Sequence, residues 1–271
     1  MDTLVMAMGF ATAFIFGACI GSFLNVVIYR IPAGISLVYP PSRCPHCLHR
    51  LGVTENVPIF GWLWLRGCCR WCKAKISSRY PIIEASTGLL FMLVFWRFGY
   101  SLETVGYCAL LSWLLSLSLI DLDTMTLPSS LTKSGLILGL VFQSIIGWRL
   151  SQGVGVANQL MFGISGAVVG IWLLEIIAVV GLMMLGQQAM GDADGKLMAT
   201  IGAWIGWKNV LVSGFIACGI GSIIGGGAIA LGIMSKKQPM PFGPFLALGG
   251  VLSLFWGDAL IDFYLNTFVN F

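Results

Sequence analysis

Long apolar runs leave this chain little choice of fold. Residues 4–28, 82–98, 103–120, 131–148, 159–185, 195–207, 209–234 and 244–265 each read as an apolar segment. A bilayer core about 30 Å thick asks for roughly 20 apolar residues per helix, and in hydrocarbon only helices and closed barrels satisfy every backbone polar group. The predicted fold is an all-α polytopic membrane protein of about eight transmembrane helices. The 195–207 run is short and only Trp207-Lys208-Asn209 parts it from the next, so six or seven spans stay open. Composition agrees: 58% of residues are apolar and 10% charged, against about 45–50% and 25% in soluble domains. Residues 4–28 lack the basic flank and small-residue cleavage site of a signal peptide, which predicts a retained first helix.

The basic residues give the orientation. Residues 29–80 hold Arg30, Arg43, Arg50, Arg66, Arg70, Lys73, Lys75 and Arg79 against the single acid Glu55. With eight spans threaded alternately, Lys133, Lys196, Lys236 and Lys237 fall on the same side, and only Arg97, Arg149 and Lys208 fall opposite. The positive-inside rule makes the loop side cytoplasmic. The net charge of +4 is no nucleic-acid footprint, because nearly all of it flanks spans. The predicted organisation is a first transmembrane helix over 1–28, a cytoplasmic loop domain over 29–80 and a multi-helix membrane domain over 81–271. The 35 glycines allow close helix approach.

Five of the eight cysteines crowd into the polar loop. Cys44-Pro-His-Cys47 and Cys69-Arg-Trp-Cys72 form a C-x2-C pair separated by 21 residues. Each such turn aims two thiolates at one point, and two turns complete a tetrahedral zinc shell. The alternative is a pair of disulfides, which a reducing cytoplasm disfavours. Four thiolates leave no open coordination position, so the zinc is expected to be structural and to fold a loop too small and polar to build its own core. Cys68, beside Cys69, leaves open which of the two thiols binds, and His46 and His49 are spare donors by proximity. Cys19, Cys108 and Cys218 lie in apolar runs and are expected to act as small buried hydrophobes.

Two acidic clusters remain. Asp121 and Asp123 end the third run, and Asp192 and Asp194 lie between the fifth and sixth, together four of only eleven acids. On the threading above both fall at the cytoplasmic face. Such groups are costly near hydrocarbon, roughly 2.5–3.5 kcal/mol at a helix centre, and two carboxyls on separate helices can form an acid/base dyad. The plainer reading is that these acids cap helices or solvate loops. The only histidines, His46 and His49, sit in the cysteine loop, and neither a Ser/His/Asp arrangement nor H-E-x-x-H occurs. The chief rival to a dyad is a membrane carrier using the aspartates as a proton or ion relay, which predicts midplane acids and inverted repeats.

Several motifs together carry a family resemblance. They are Gly21-Ser-Phe-Leu-Asn-Val-Val-Ile-Tyr-Arg30, Ser42-Arg-Cys-Pro-His-Cys47, Ile76-Ser-Ser-Arg-Tyr-Pro81 with Glu84, Asp121-Leu-Asp-Thr124, Gly191–Leu197 and Pro241-Phe-Gly-Pro-Phe-Leu246. In this order they resemble the type IV prepilin peptidases, bifunctional leader peptidase/N-methyltransferases of the GxGD class of membrane aspartic proteases. The resemblance implies cleavage of the basic leader of prepilins or pseudopilins at the cytoplasmic face of the bacterial inner membrane. It also implies methylation of the new N-terminus with S-adenosylmethionine. Its catalytic aspartates match Asp121, which opens D-x5-[LI]-P, and Asp194, which precedes Gly-Lys-Leu. Ala193 stands where the family has glycine before the second aspartate, and Asp192 fills its variable position, so Asp192 and Asp123 stay as the alternatives. No G-x-G-x-x-G follows a strand, so the methyl-donor site is expected to be built differently. Glu84 and Arg79 are candidates for it, with an interfacial salt bridge as the equal alternative. Nothing in the sequence fixes the oligomeric state.

Overall fold

The computed structural model describes residues 2–185, 191–235 and 240–268, and outside the 31–78 loop these are almost wholly helical. The helices are α1 (Asp2–Arg30), the short α2 (Phe60–Trp64), α3 (Arg79–Phe98), α4 (Leu102–Thr124), α5 (Ser129–Leu185), α6 (Asp192–Ala230) and α7 (Gly243–Phe268). Seven helical segments among the described residues are long and apolar enough to cross a membrane, because α5 counts as two, Ser129–Ser151 and Gly153–Met183. The protein is a multi-pass membrane protein. It divides into two compact units, Met1–Ser116 and Leu117–Phe271.

In the first unit α1 and α3 lie antiparallel. Gly17 meets Gly88, Gly21 meets the backbone of Glu84, and the Asn25 amide donates to the Tyr80 carbonyl at 3.3 Å. A Cβ on Gly17 would lie 2.8 Å from the Gly88 Cα, so only glycine lets the two backbones come this close. Phe10 and Phe95 meet edge to face at 5.2 Å near the far end. Cys19 lies on the exposed side of α1, and Cys108 and Cys218 are half-buried. None of the three is fully buried by the protein itself, contrary to expectation: an apolar run does not say which face of a helix meets other helices.

The second unit is wound around the first limb of α6. Residues 197–206 are buried without interruption, the pattern of a helix enclosed on every side. Met198 nonetheless touches Gly214, and Ile201 and Ser213 both pack on the Gly249–Gly250 stretch of α7. In a straight helix positions 198 and 214 would stand about 24 Å apart. The chain therefore reverses at Gly206, whose φ of 78° and ψ of 175° break the helix. The two limbs correspond to the expected runs 195–207 and 209–234, with the break at Gly206 rather than at Trp207-Lys208-Asn209. The first limb is only about 20 Å long, shorter than a bilayer core, which is why it was hard to separate as a span. α5 reverses in the same way: Gly147 touches Gly155, positions about 12 Å apart in a straight helix.

Both limbs of α5 clasp the first limb of α6. Thr200 donates to the Thr132 carbonyl at 3.0 Å, the Trp204 indole to Gly135 at 2.9 Å, and the Gln143 amide to Trp204 at 2.8 Å. On the other side Gly163, Gly166 and Gly170 face the carbonyls of Ala203, Gly202 and Met198. The core limb is thus fixed by buried hydrogen bonds and close backbone contacts, and it carries Asp194 at its start.

Candidate active site and metal centre

Three helix ends meet in the second unit. Asp121 lies in the last turn of α4, where Met125, in the left-handed region at φ 51°, closes the helix by donating its N–H to the Asp121 carbonyl at 2.8 Å. The Asp121 side chain is buried, 5% exposed, and its Oδ2 accepts the backbone N–H of Gly243 at 2.9 Å. Gly243 opens α7, so one of its unpaired first-turn donors is spent on this carboxylate. Asp194 sits in the first turn of α6, where the dipole favours a negative group. Its N–H donates to the Gly191 carbonyl at 3.1 Å, and its Oδ2 faces the Gly191 N–H at 3.4 Å. The carboxyls of Asp121 and Asp194 are close enough to interact electrostatically.

The alternative acids stand apart from this arrangement or outside description. Asp123 is exposed on the same turn as Asp121 and makes interactions of its own. The Asp192 side chain lies outside the described residues, as do Lys236 and Lys237. The residue that sequence reasoning gave no role is Gly243. It lies within Pro241-Phe-Gly-Pro244, part of a motif that carries the resemblance but assigns no role to the glycine.

The cysteine loop builds a second centre in the first unit. The Sγ atoms of Cys44, Cys47, Cys69 and Cys72 all lie within 4.8 Å of one another, with Cys44–Cys72 at 3.8 Å and Cys47–Cys69 at 3.9 Å. Zinc–sulfur bonds of about 2.3 Å in a tetrahedron place sulfurs roughly 3.8 Å apart, so the donor set fits a metal ion. The two turns are built alike. Cys44 N–H donates to the His49 carbonyl and Leu48 N–H to Cys44, just as Cys69 donates to Ala74 and Lys73 to Cys69. Leu48 and Lys73 occupy the same left-handed conformation, at φ 57° and 59°. This equivalence makes Cys69 the counterpart of Cys44, while Cys68 pairs in a β-bridge with Lys75.

Charge explains why such a cluster suits a cation. The backbone N–H groups of Cys47 and His46 point at the Cys44 sulfur and hold its thiol down at about 6. The His49 N–H also favours the Cys47 thiolate, but removal from water and the sulfurs of Cys72, Cys44 and Cys69 push it up to about 11. Four thiolates at this spacing are mutually repulsive until a metal neutralises them. His46 and His49 are not among the clustered donors, and the His49 ring meets Trp71 at a tilt, 4.3 Å between centroids.

Glu84 is buried on α3. Its Oε2 accepts the Ile59 N–H at 2.6 Å, and it lies within reach of the Ser22 hydroxyl. It thereby ties the loop to α3 and α1.

Comparison with known proteins decides the family. The model of the type IV leader peptidase family matches residues 108–226, and that of the bacterial peptidase A24 N-terminal domain matches residues 15–98. The chain belongs to the type IV leader peptidase family. It is 37% identical to the prepilin leader peptidase/N-methyltransferase of Stutzerimonas stutzeri, over 94% of this chain and 93% of that protein. The protein of the same name from Aeromonas hydrophila is 36% identical, over 96% and 95% of the two chains. That of Pseudomonas aeruginosa is 35% identical, over 92% and 91%. No solved structure matches the chain. The chain is accordingly an enzyme, and its match spans both the cysteine loop and the aspartate-bearing helices.

Proposed function

We propose that this enzyme cleaves the basic leader of type IV prepilins or pseudopilins with Asp121 and Asp194 as its dyad, at the cytoplasmic face of the bacterial inner membrane. The observation that carries this is the buried Asp121 carboxylate, held by the Gly243 N–H and near enough to Asp194 for the two charges to interact. Asp121 and Asp194 lie at helix ends, where a peptide can arrive from water. The carrier reading needs acids near the middle of a span.

Hydrolysis by such a pair needs one ionised and one protonated carboxyl. The ionised carboxylate takes a proton from the attacking water, whose oxygen bonds to the scissile carbonyl carbon. The protonated partner gives its proton to the carbonyl oxygen. Collapse of the tetrahedral intermediate breaks the C–N bond, and the departing amine takes the proton that came from water. The Gly243 N–H fixes one oxygen of Asp121 throughout, so that only the other is free to face water and substrate.

The new N-terminal amine is then methylated with S-adenosylmethionine as methyl donor. Among the described residues no side-chain set is assigned to this donor. Cys44, Cys47, Cys69 and Cys72 hold a structural zinc ion, which cross-links residues 29–80 into a cytoplasmic domain between the first helix, 1–28, and the membrane peptidase domain, 81–271. With four sulfur ligands the ion supplies a cross-link and no reaction step. The test is incubation of the purified enzyme with a prepilin and S-adenosylmethionine, read by mass spectrometry. A product lacking the leader and carrying one added methyl group is expected. An intact prepilin with active reference enzyme alongside overturns the reading.

A further inference from the structure

The loop presents an apolar surface to which neither the aspartate site nor the cysteine cluster assigns a role. The five-residue helix α2, Phe60-Gly-Trp-Leu-Trp64, exposes Phe60 at 68%, Leu63 at 54% and Trp64 at 90%. Its remaining residues fix it in place. Gly61 is buried against the Glu55 carbonyl, and the Trp62 indole donates to Ile76 at 3.1 Å and covers Gly67. Ile59, just before α2, is held in the left-handed region at φ 63°, a conformation a β-branched residue adopts only under constraint. The constraint is the 2.6 Å bond from its N–H to Glu84.

That bond sets the depth of α2. Glu84 lies five residues into α3, about 7–8 Å along the helix from Arg79, and α3 is long and apolar enough to cross a membrane. A group bonded to Glu84 is therefore held beside the first two turns of a helix of membrane-spanning length, the level at which interfacial aromatics are enriched. Basic side chains follow immediately, with Arg66, Arg70, Lys73 and Lys75 all exposed and the loop's single acid, Glu55, turned back to accept the Gly52 N–H at 2.8 Å. Exposed aromatics at that depth, rimmed by cations, have the chemistry of an interfacial anchor on anionic lipid.

We propose that α2 inserts Phe60, Leu63 and Trp64 into the headgroup–acyl boundary of the leaflet on the loop's side, with the adjacent Arg and Lys residues on anionic headgroups, so that the loop lies on the membrane. Trp71, at the second cysteine turn and against the His49 ring, stays in water.

The test uses the full-length protein labelled with 5-fluorotryptophan in nanodiscs containing phosphatidylglycerol. The Trp64 and Trp71 resonances are assigned by their loss in Trp64→Phe and Trp71→Phe, and metal content confirms that both variants fold. A lipid spin-labelled just below the headgroup should broaden Trp64 away, and a water-soluble gadolinium chelate should broaden Trp71 but spare Trp64. In phosphatidylcholine discs Trp64 should lose part of its protection from the chelate. Protection unchanged there overturns the part assigned to anionic lipid. Trp64 broadened by the chelate and spared by the spin-labelled lipid overturns the anchor. If that exposed Trp64 then becomes protected when a prepilin is added, the surface is a protein-docking site instead.

Discussion

Gly243→Ala isolates the contact on which the aspartate site depends. A Cβ at position 243 would lie 2.7 Å from Asp121 Oδ2 and 3.1 Å from its Cγ, closer than carbon and oxygen tolerate. The carboxylate must move by several tenths of an ångström or the start of α7 must shift. Either way the 2.9 Å N–H···Oδ2 bond is strained or lost. A hydrogen bond to a charged group contributes about 1.5–3 kcal/mol, and about 1.4 kcal/mol corresponds to tenfold in rate. The expected result is a fall of roughly 10- to 150-fold in the cleavage rate with KM little changed, because the peptide's own contacts are untouched. The assay is cleavage of a prepilin by purified enzyme in nanodiscs, normalised to folded protein. Gly219→Ala is the control, since a Cβ there meets nothing within 4 Å. Wild-type activity in Gly243→Ala, or a loss matched by lower folded yield, would refute the idea that this N–H positions Asp121.

Further outcomes follow from the same contacts. Cys69→Ser should purify without bound zinc and melt several degrees lower, while Cys68→Ser keeps about one zinc per chain; elemental analysis of the purified proteins distinguishes them. Gly206→Ala should destabilise the fold by about 2–4 kcal/mol, because residue 206 holds φ 78° and its Cβ would enter the Phe162 ring. A melting temperature within a degree of wild type would contradict the reversal there. Thr200→Val removes the hydroxyl that reaches the Thr132 carbonyl and should cost about 1 kcal/mol, read by the same thermal melt.

Much of the fold was legible because it rests on local pattern. Apolar length alone located α1, α3, α4 and α7, and the C-x2-C spacing located the four clustered sulfurs. Other features lie in contacts that sequence order does not display. The reversal at Gly206 was read one residue late, because polarity drew attention to Lys208 and Asn209 while the turn is made by a glycine's positive φ. Cys69 is distinguished from Cys68 by the backbone bonds of Lys73 and Ala74, which no thiol count shows. Gly243 and Asp121 stand 122 positions apart in the chain, so neither residue signals the other. Burial separates Asp121 from Asp123 two residues away, and the start of α7 at Gly243 lies against the Asp121 carboxylate, far from either acid's neighbours in sequence.

The central claim is that Asp121 and Asp194 are the dyad. Its most direct test is prepilin cleavage in membranes by wild type, Asp121→Asn, Asp123→Asn, Asp192→Asn and Asp194→Asn, each matched for expression. Loss of cleavage in Asp121→Asn and Asp194→Asn, with Asp123→Asn and Asp192→Asn active, is the predicted result. Retained cleavage in either Asp121→Asn or Asp194→Asn contradicts it.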